Sequence, residues 1–167
     1  MSFRAAGESW RTVLYRWRFN WFPAYRGTGG RVTYIAADWS EIRIRLPLGW
    51  RTRNYVGTIF GGSLYGALDP LYMIMLMRLL GPGYVVWDKA ATIRFRKPGR
   101  TTLYARFVVG AEDLETIRAG VAARGRHEWE SVVELRDAAG VVHAECTKLL
   151  SIRSKDNGSR PAPAGQT

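Results

Sequence analysis

A chain of 167 residues, 47% of them hydrophobic, is long enough for one ordinary domain with a real core. Its formal charge of +11 favours anionic partners: nucleic acid, an acidic lipid surface, or a phosphorylated small molecule. One cysteine, Cys146, excludes an internal disulfide, and with His127 and His143 far apart there is no metal-ligand spacing, so no metal is expected.

The charge is uneven. Ten basic and three acidic residues stand before Asn54, so +7 of the net +11 lies in the first third. The N-terminus is basic, but MSFRAAGESWRTVLYRW places arginines where an export signal needs an unbroken apolar run. With a lone cysteine, this leads to the expectation of a cytoplasmic protein.

Residues 8–22 are predicted helical. Trp10, Leu14, Trp17 and Trp21 recur at i, i+4, i+7 and i+11, one stripe at helical spacing, while Arg11 and Arg18 occupy another face and Pro23 ends the run. The stripe is expected to pack this segment, residues 1–25, onto the domain. The alternative is a weak membrane-surface contact, since tryptophan beside arginine suits a lipid interface.

The period then changes to two. Residues 31–37 and 41–47 read as strands around the turn Asp38-Trp39-Ser40, with Ile42, Ile44 and Leu46 sharing one face. Residues 54–80, NYVGTIFGGSLYGALDPLYMIMLMRLL, read as a Gly-rich approach to one long apolar helix, buried on every side and closed by Gly81-Pro82-Gly83. With Gly61, Gly62, Asp69, Pro70 and Arg78 inside it, the run is too interrupted to span a membrane. Strands follow at 84–97, with Ile93 and Phe95 inward, and at 101–109. A short helix at 113–123 precedes strands at 128–136 and 141–152. The domain therefore covers 26–153, and the polar, Pro/Gly-rich segment 154–167 is expected to be a disordered tail. The class is α+β, with a single antiparallel sheet curled around one helix, and a second copy is a natural cover for its open edge.

The common catalytic motifs are absent. Gly61-Gly62-Ser63-Leu64-Tyr65 fails the G-x-S-x-G pattern at its last position, so Ser63 reads as a helix-start residue bonding a backbone amide. There is no phosphate-binding P-loop and no dinucleotide-binding glycine pattern in a strand-turn-helix context. What remains is Gly61-Gly62 and Asp69. The first amides of a helix beginning near Gly61 are donors for an oxyanion, and Asp69 lies seven residues beyond Gly62, on nearly the same face but roughly 10 Å along the axis. A base must come within ~3 Å of the carbonyl that the amides polarise. One chain does not easily do both. Two chains with antiparallel helices do, so the spacing predicts a dimer with composite sites if the protein is an enzyme.

The pattern formed by Asn54, Gly57, Phe60, Gly61, Gly62 and Asp69 resembles that of the hotdog-fold acyl-CoA thioesterases of the phenylacetate-pathway type. NYVGTIFGGSLY, VWDKAATIRF and AADWSEIRIRLPL are more similar still to a largely uncharacterised, tetrameric acyl-CoA thioesterase-like branch of that fold, over about residues 10–153. The resemblance implies a hotdog domain with an extra N-terminal helix, assembled as a dimer or a dimer of dimers. It implies hydrolysis of a fatty or aromatic acyl thioester, with the Gly62 amide polarising the carbonyl, Asp69 of the other subunit as nucleophile or base, and Asn54 orienting substrate or water. No cofactor is needed beyond the coenzyme A of the substrate. Phe60 departs from the pattern, standing where these thioesterases usually carry histidine.

Gly61, Phe60 and Ser63 are placed at the substrate by the same comparison. Arg94, Arg96, Lys97 and Arg100 form a basic cluster suited to coenzyme A phosphates, or else a solvated sheet face. Leu64, Leu68, Leu71, Tyr72 and Met75 either wall an acyl tunnel or are simply core. The alternatives are an acyl-CoA or acyl-ligand binding protein without turnover, in which Asp69 is structural, and, less well supported, a nucleic-acid or membrane-surface binder. The arginines are dispersed and carry no nucleic-acid-binding motif, so no nucleic-acid partner is expected.

Overall fold

The computed structural model describes residues 7–155. Ser9 starts α1 (Trp10–Trp21) with a reciprocal cap, its hydroxyl accepting from the Thr12 amide while Thr12 Oγ1 accepts from the Ser9 amide. Pro23 does end this helix, but it also begins another, α2 (Pro23–Thr28), because a proline at the first helical position loses no hydrogen bond. This second helix runs across the boundary expected at residue 25.

The sheet has six antiparallel strands in the order β1-β2-β4-β5-β6-β3. These are β1 (Arg31–Ile35), β2 (Glu41–Leu46), β3 (Tyr84–Phe95), β4 (Leu103–Val108), β5 (Arg126–Arg136) and β6 (Val142–Ser154). The period-two pattern is realised directly in β2, where Ile42, Ile44 and Leu46 are buried, and in β4, where Leu103, Ala105 and Phe107 are. Strand β6 runs through Ser154, the first residue of the segment expected as a tail, and residues 156–167 of that segment lie outside the described residues.

The expected long helix is two. Helix α3 (Gly61–Leu68) and helix α4 (Leu71–Leu80) are separated at Asp69-Pro70. Pro70 has no N–H to give the Gly66 carbonyl, and its ring crowds that carbonyl. Nor is the pair buried all round: Gly62, Met77 and Arg78 face outward. The inner face is the centre of the core, with Leu68, Leu71, Met75 and Leu76 at 1% exposure or less. The Tyr72 ring meets Phe107 and Trp129 edge-on, at centroid distances of 5.0 and 5.2 Å. Helix α5 (Ala111–Arg124) lies against β5 and buries Ile117 and Val121.

The N-terminal helix is held to the sheet by polar groups. Asn20 donates to the Val32 carbonyl (2.9 Å) and accepts from the Val32 amide (2.8 Å), as a neighbouring strand would, and Glu8 accepts from the Ile35 amide. Together they close the outer edge of β1, which would otherwise offer unpaired backbone groups. The expectation that the tryptophan stripe packs α1 on the domain is overturned. Thr12 is buried and Phe19 half-buried on the opposite face, while Trp10, Leu14, Trp17 and Trp21 are exposed.

Candidate active site

The break at Pro70 leaves Asp69 at the end of α3, with its carboxylate turned toward β6. There Lys148 Nζ donates to Asp69 Oδ1 at 2.7 Å, and the Tyr65 hydroxyl, one turn earlier in α3, donates to the same oxygen at 2.6 Å. Asp88, on β3, completes the cluster. Its Oδ1 lies 3.0 Å from Lys148 Nζ, close enough to pair by charge but without a directed hydrogen bond. The Lys148 side chain is 0% exposed, whereas that of Asp69 is 41% exposed.

Four groups set the protonation of this cluster. Burial pushes the Asp69 carboxyl up, but the hydrogen bonds from Lys148 and Tyr65, with the lysine charge, outweigh it and hold Asp69 below the ordinary aspartate value. Burial also raises Asp88, and Lys148 offsets this only in part. Burial would lower Lys148, yet its two carboxylates more than compensate and raise it. Tyr65 is pushed up to about 12 by burial and by the Asp69 carboxylate, so it remains a donor. The arrangement holds Asp69 ionised, occupies its Oδ1, and leaves Oδ2 available.

Lys148 was not among the residues picked out from sequence, although a signal was present. Ala144, Cys146, Leu150 and Ile152 alternate as buried residues of β6, and Lys148 stands in the middle of that series. A lysine at an inward position needs a carboxylate partner. Lys89, the neighbour of Asp88, does not join this cluster and pairs with Glu128 at 2.6 Å on the surface.

The other predicted site residues gather elsewhere. Asn54 and Gly61 line a cleft of about 420 Å³ together with Arg96, Lys97, Phe95 and Pro98. The Asn54 oxygen accepts from the Val56 and Thr58 amides, and its Nδ2 donates to Thr58 Oγ1, so this side chain shapes the loop before α3. Arg96 also pairs with Glu145 at 3.3 Å. Arg94 and Arg100 are exposed and do not line the cleft.

Phe60 precedes α3, and its ring lies over Gly62, where a Cβ would come within 2.3 Å of it. Phe95, expected inward, is 59% exposed, and its ring lies against Gly61. Ser63 is the third residue of α3 and does not cap it; Phe60 occupies the cap position with no side-chain bond. Within one chain, Gly61 at the start of α3 and Asp69 at its end line different clefts.

Asp69 instead lines a cavity of about 360 Å³ with Gly66, Pro70, Met73, Ile74 and Phe19. A second cavity, of about 430 Å³, adjoins it through Phe19 and Ile74 and runs between α1 and α4 past Tyr15, Trp39 and Met77 to Arg78. Leu64, Leu68, Leu71, Tyr72 and Met75 are all buried core, and of these only Leu71 touches that space.

The family model described as a domain of unknown function, DUF4442, matches residues 13–152. The chain belongs to the DUF4442 family. Its fold is the hotdog fold seen in solved structures that it matches over most of its length. The protein PA5026 of Pseudomonas aeruginosa, described as a probable thioesterase, aligns with a TM-score of 0.76 at 23% identity over 90% of this chain and 99% of that one. The thioesterase HI1161 of Haemophilus influenzae aligns with a TM-score of 0.64 at 14% identity, over 90% and 96%. A Chlorobaculum tepidum protein of unknown function aligns with a TM-score of 0.71 at 15% identity, over 90% and 99%. No curated protein matches the sequence. Among the described residues, this DUF4442 chain has no helix long and apolar enough to cross a membrane.

Proposed function

We propose that this protein hydrolyses an acyl-CoA thioester at a site shared between two copies of the chain, with Asp69 as general base. The observation that carries the reading is the Asp69 carboxylate, held ionised by Lys148 and Tyr65 through Oδ1 in the lining of a largely apolar cavity. Oδ2 takes a proton from water as the water oxygen bonds to the thioester carbon. The Gly62 amide of the second copy, at the start of its α3, stabilises the resulting oxyanion. The C–S bond then breaks, and the proton held by Asp69 passes to the sulfur, giving acid and thiol.

Two further features support the assignment. The acyl chain is accommodated by the adjoining cavity between α1 and α4, and the phosphates of coenzyme A by the Arg96–Lys97 cleft beside Gly61. Among the described residues the outer edge of β3 is unpaired, which supports joining of two sheets there. Thiol release from short, medium, long and aromatic acyl-CoAs tests the reading. Asp69→Asn, shown folded and of unchanged oligomeric state, is expected to lose about a hundredfold or more of the turnover, and unchanged turnover refutes the assignment.

A second reading, acyl-CoA binding without turnover, is favoured by one observation: the Phe60 ring lies across Gly62, whose amide the hydrolytic reading requires. It predicts calorimetric binding of acyl-CoA by a protein that releases no thiol from any member of the panel.

A further inference from the structure

We propose that the outer face of α1, continued by the adjacent 49–52 loop, docks this protein on an anionic lipid surface. Trp10 is 74% exposed, Leu14 52%, Trp17 61% and Trp21 60%; Phe22, directly after the helix, is 59% exposed, and Trp50 is 87% exposed. At about 100° per residue the four helical residues fall within roughly 60° of one another, and Arg18 and Arg11 follow on one flank. Trp50 and Arg51 line the same cleft as Asn20 and Arg26, so the patch continues from the helix into that loop.

The charges fit the same partner. Guanidinium groups lie over the exposed rings, Arg11 over Trp10 at 5.3 Å, Arg26 over Trp21 at 4.9 Å and Arg51 over Trp50 at 5.4 Å. Among the described residues, none of Arg11, Arg18, Arg26 and Arg51 forms an ion pair. From Ser9 to Ala37 the sequence has five arginines and no carboxylate. Indole rings seat at the headgroup level of a bilayer, and free guanidinium groups beside them meet lipid phosphates.

A second copy fits the face less well. A two-fold contact sets a surface against itself, which would bring the unpaired arginines of two stripes together as like charges. The strand edge left unpaired among the described residues, that of β3, lies at the other end of the strand order from β1, to which α1 is fastened. The docking proposal is independent of whether Asp69 is catalytic.

The full chain is to be sedimented with vesicles of phosphatidylcholine alone and with vesicles that also contain phosphatidylglycerol, while tryptophan emission is recorded. The expected result is binding only to the anionic vesicles, a blue shift on binding, and release at about 1 M salt, where charge attraction is screened within about 3 Å. Exchanging Trp10, Trp17 and Trp21 together for serine is expected to weaken binding on the order of a hundredfold. Should that variant misfold, Arg11→Gln with Arg18→Gln keeps the rings and is expected to lose about fivefold per arginine. No binding to anionic vesicles at low salt overturns the proposal. So does binding that neither set of substitutions weakens, or a serine variant that changes oligomeric mass while vesicle binding stays the same, which would assign the stripe to a second copy.

Discussion

Helices α1 and α3–α4 carry the same sequence signal, apolar residues at helical spacing, and meet opposite media. The α3–α4 pair turns Leu68, Leu71, Met75 and Leu76 into the core, whereas α1 turns Trp10, Leu14, Trp17 and Trp21 to solvent. Periodicity establishes that residues share a face, and nothing in it says what that face meets. The two regions are also tied to the sheet by different polar devices. Asn20 holds α1 to the β1 backbone, and Asp69 joins the break between α3 and α4 to the buried Lys148 of β6.

Substitutions can break this contrast at either end. The largest expected effect is Lys148→Met, which leaves Asp69 and Asp88 without their shared cation. Denaturant unfolding should show a loss of about 3–5 kcal/mol, and adding Asp69→Asn and Asp88→Asn should recover much of it. Leu76→Ala, at the centre of the buried helix face, is expected to cost about 2–5 kcal/mol in the same measurement. Asn20→Ala strips both bonds from Val32, and a loss of about 1–3 kcal/mol is expected, with faster amide exchange at Val32.

Stability against pH offers a further comparison with the Asp69 cluster. The hydrogen bonds from Arg106, helped by Arg43 and opposed by burial, hold Glu41 at about 2 rather than 4.5. Because the folded value is the lower one, this contribution is present above pH 4.5 and is lost as pH falls toward 2. Glu41→Gln should therefore flatten the fall of Tm over that window. The smallest effect belongs to the exposed stripe: Trp17→Ala is expected to change stability by within about 0.5 kcal/mol, and a loss comparable to that of Leu76→Ala would show that the stripe is covered in the native assembly.

The candidate site was legible in the same uneven way. Asp69 is marked in the sequence by its spacing of seven residues from Gly62, but its partner, Lys148, lies 79 residues away in sequence and meets it only when β6 comes to lie beside α3. Asn54 was singled out by a family pattern, and the structure shows its polar atoms engaged within its own loop. Of the basic residues around β3, only Arg96 and Lys97 reach the cleft beside Gly61, a selection that depends on where the strand ends.

By itself the sequence determined the six strands, an apolar central helical segment, the shared faces of the amphipathic segments, and Asp69 as a candidate residue. These are local properties, fixed by the periods of helix and strand and by where glycine and proline fall. Only the tertiary structure decided that α1 presents its tryptophans outward, that Asn20 closes the β1 edge, and that Lys148 sits between Asp69 and Asp88. Each depends on contact between segments far apart in the chain. The choice among such contacts belongs to the packing of the whole, where a buried charge finds its partner or goes without.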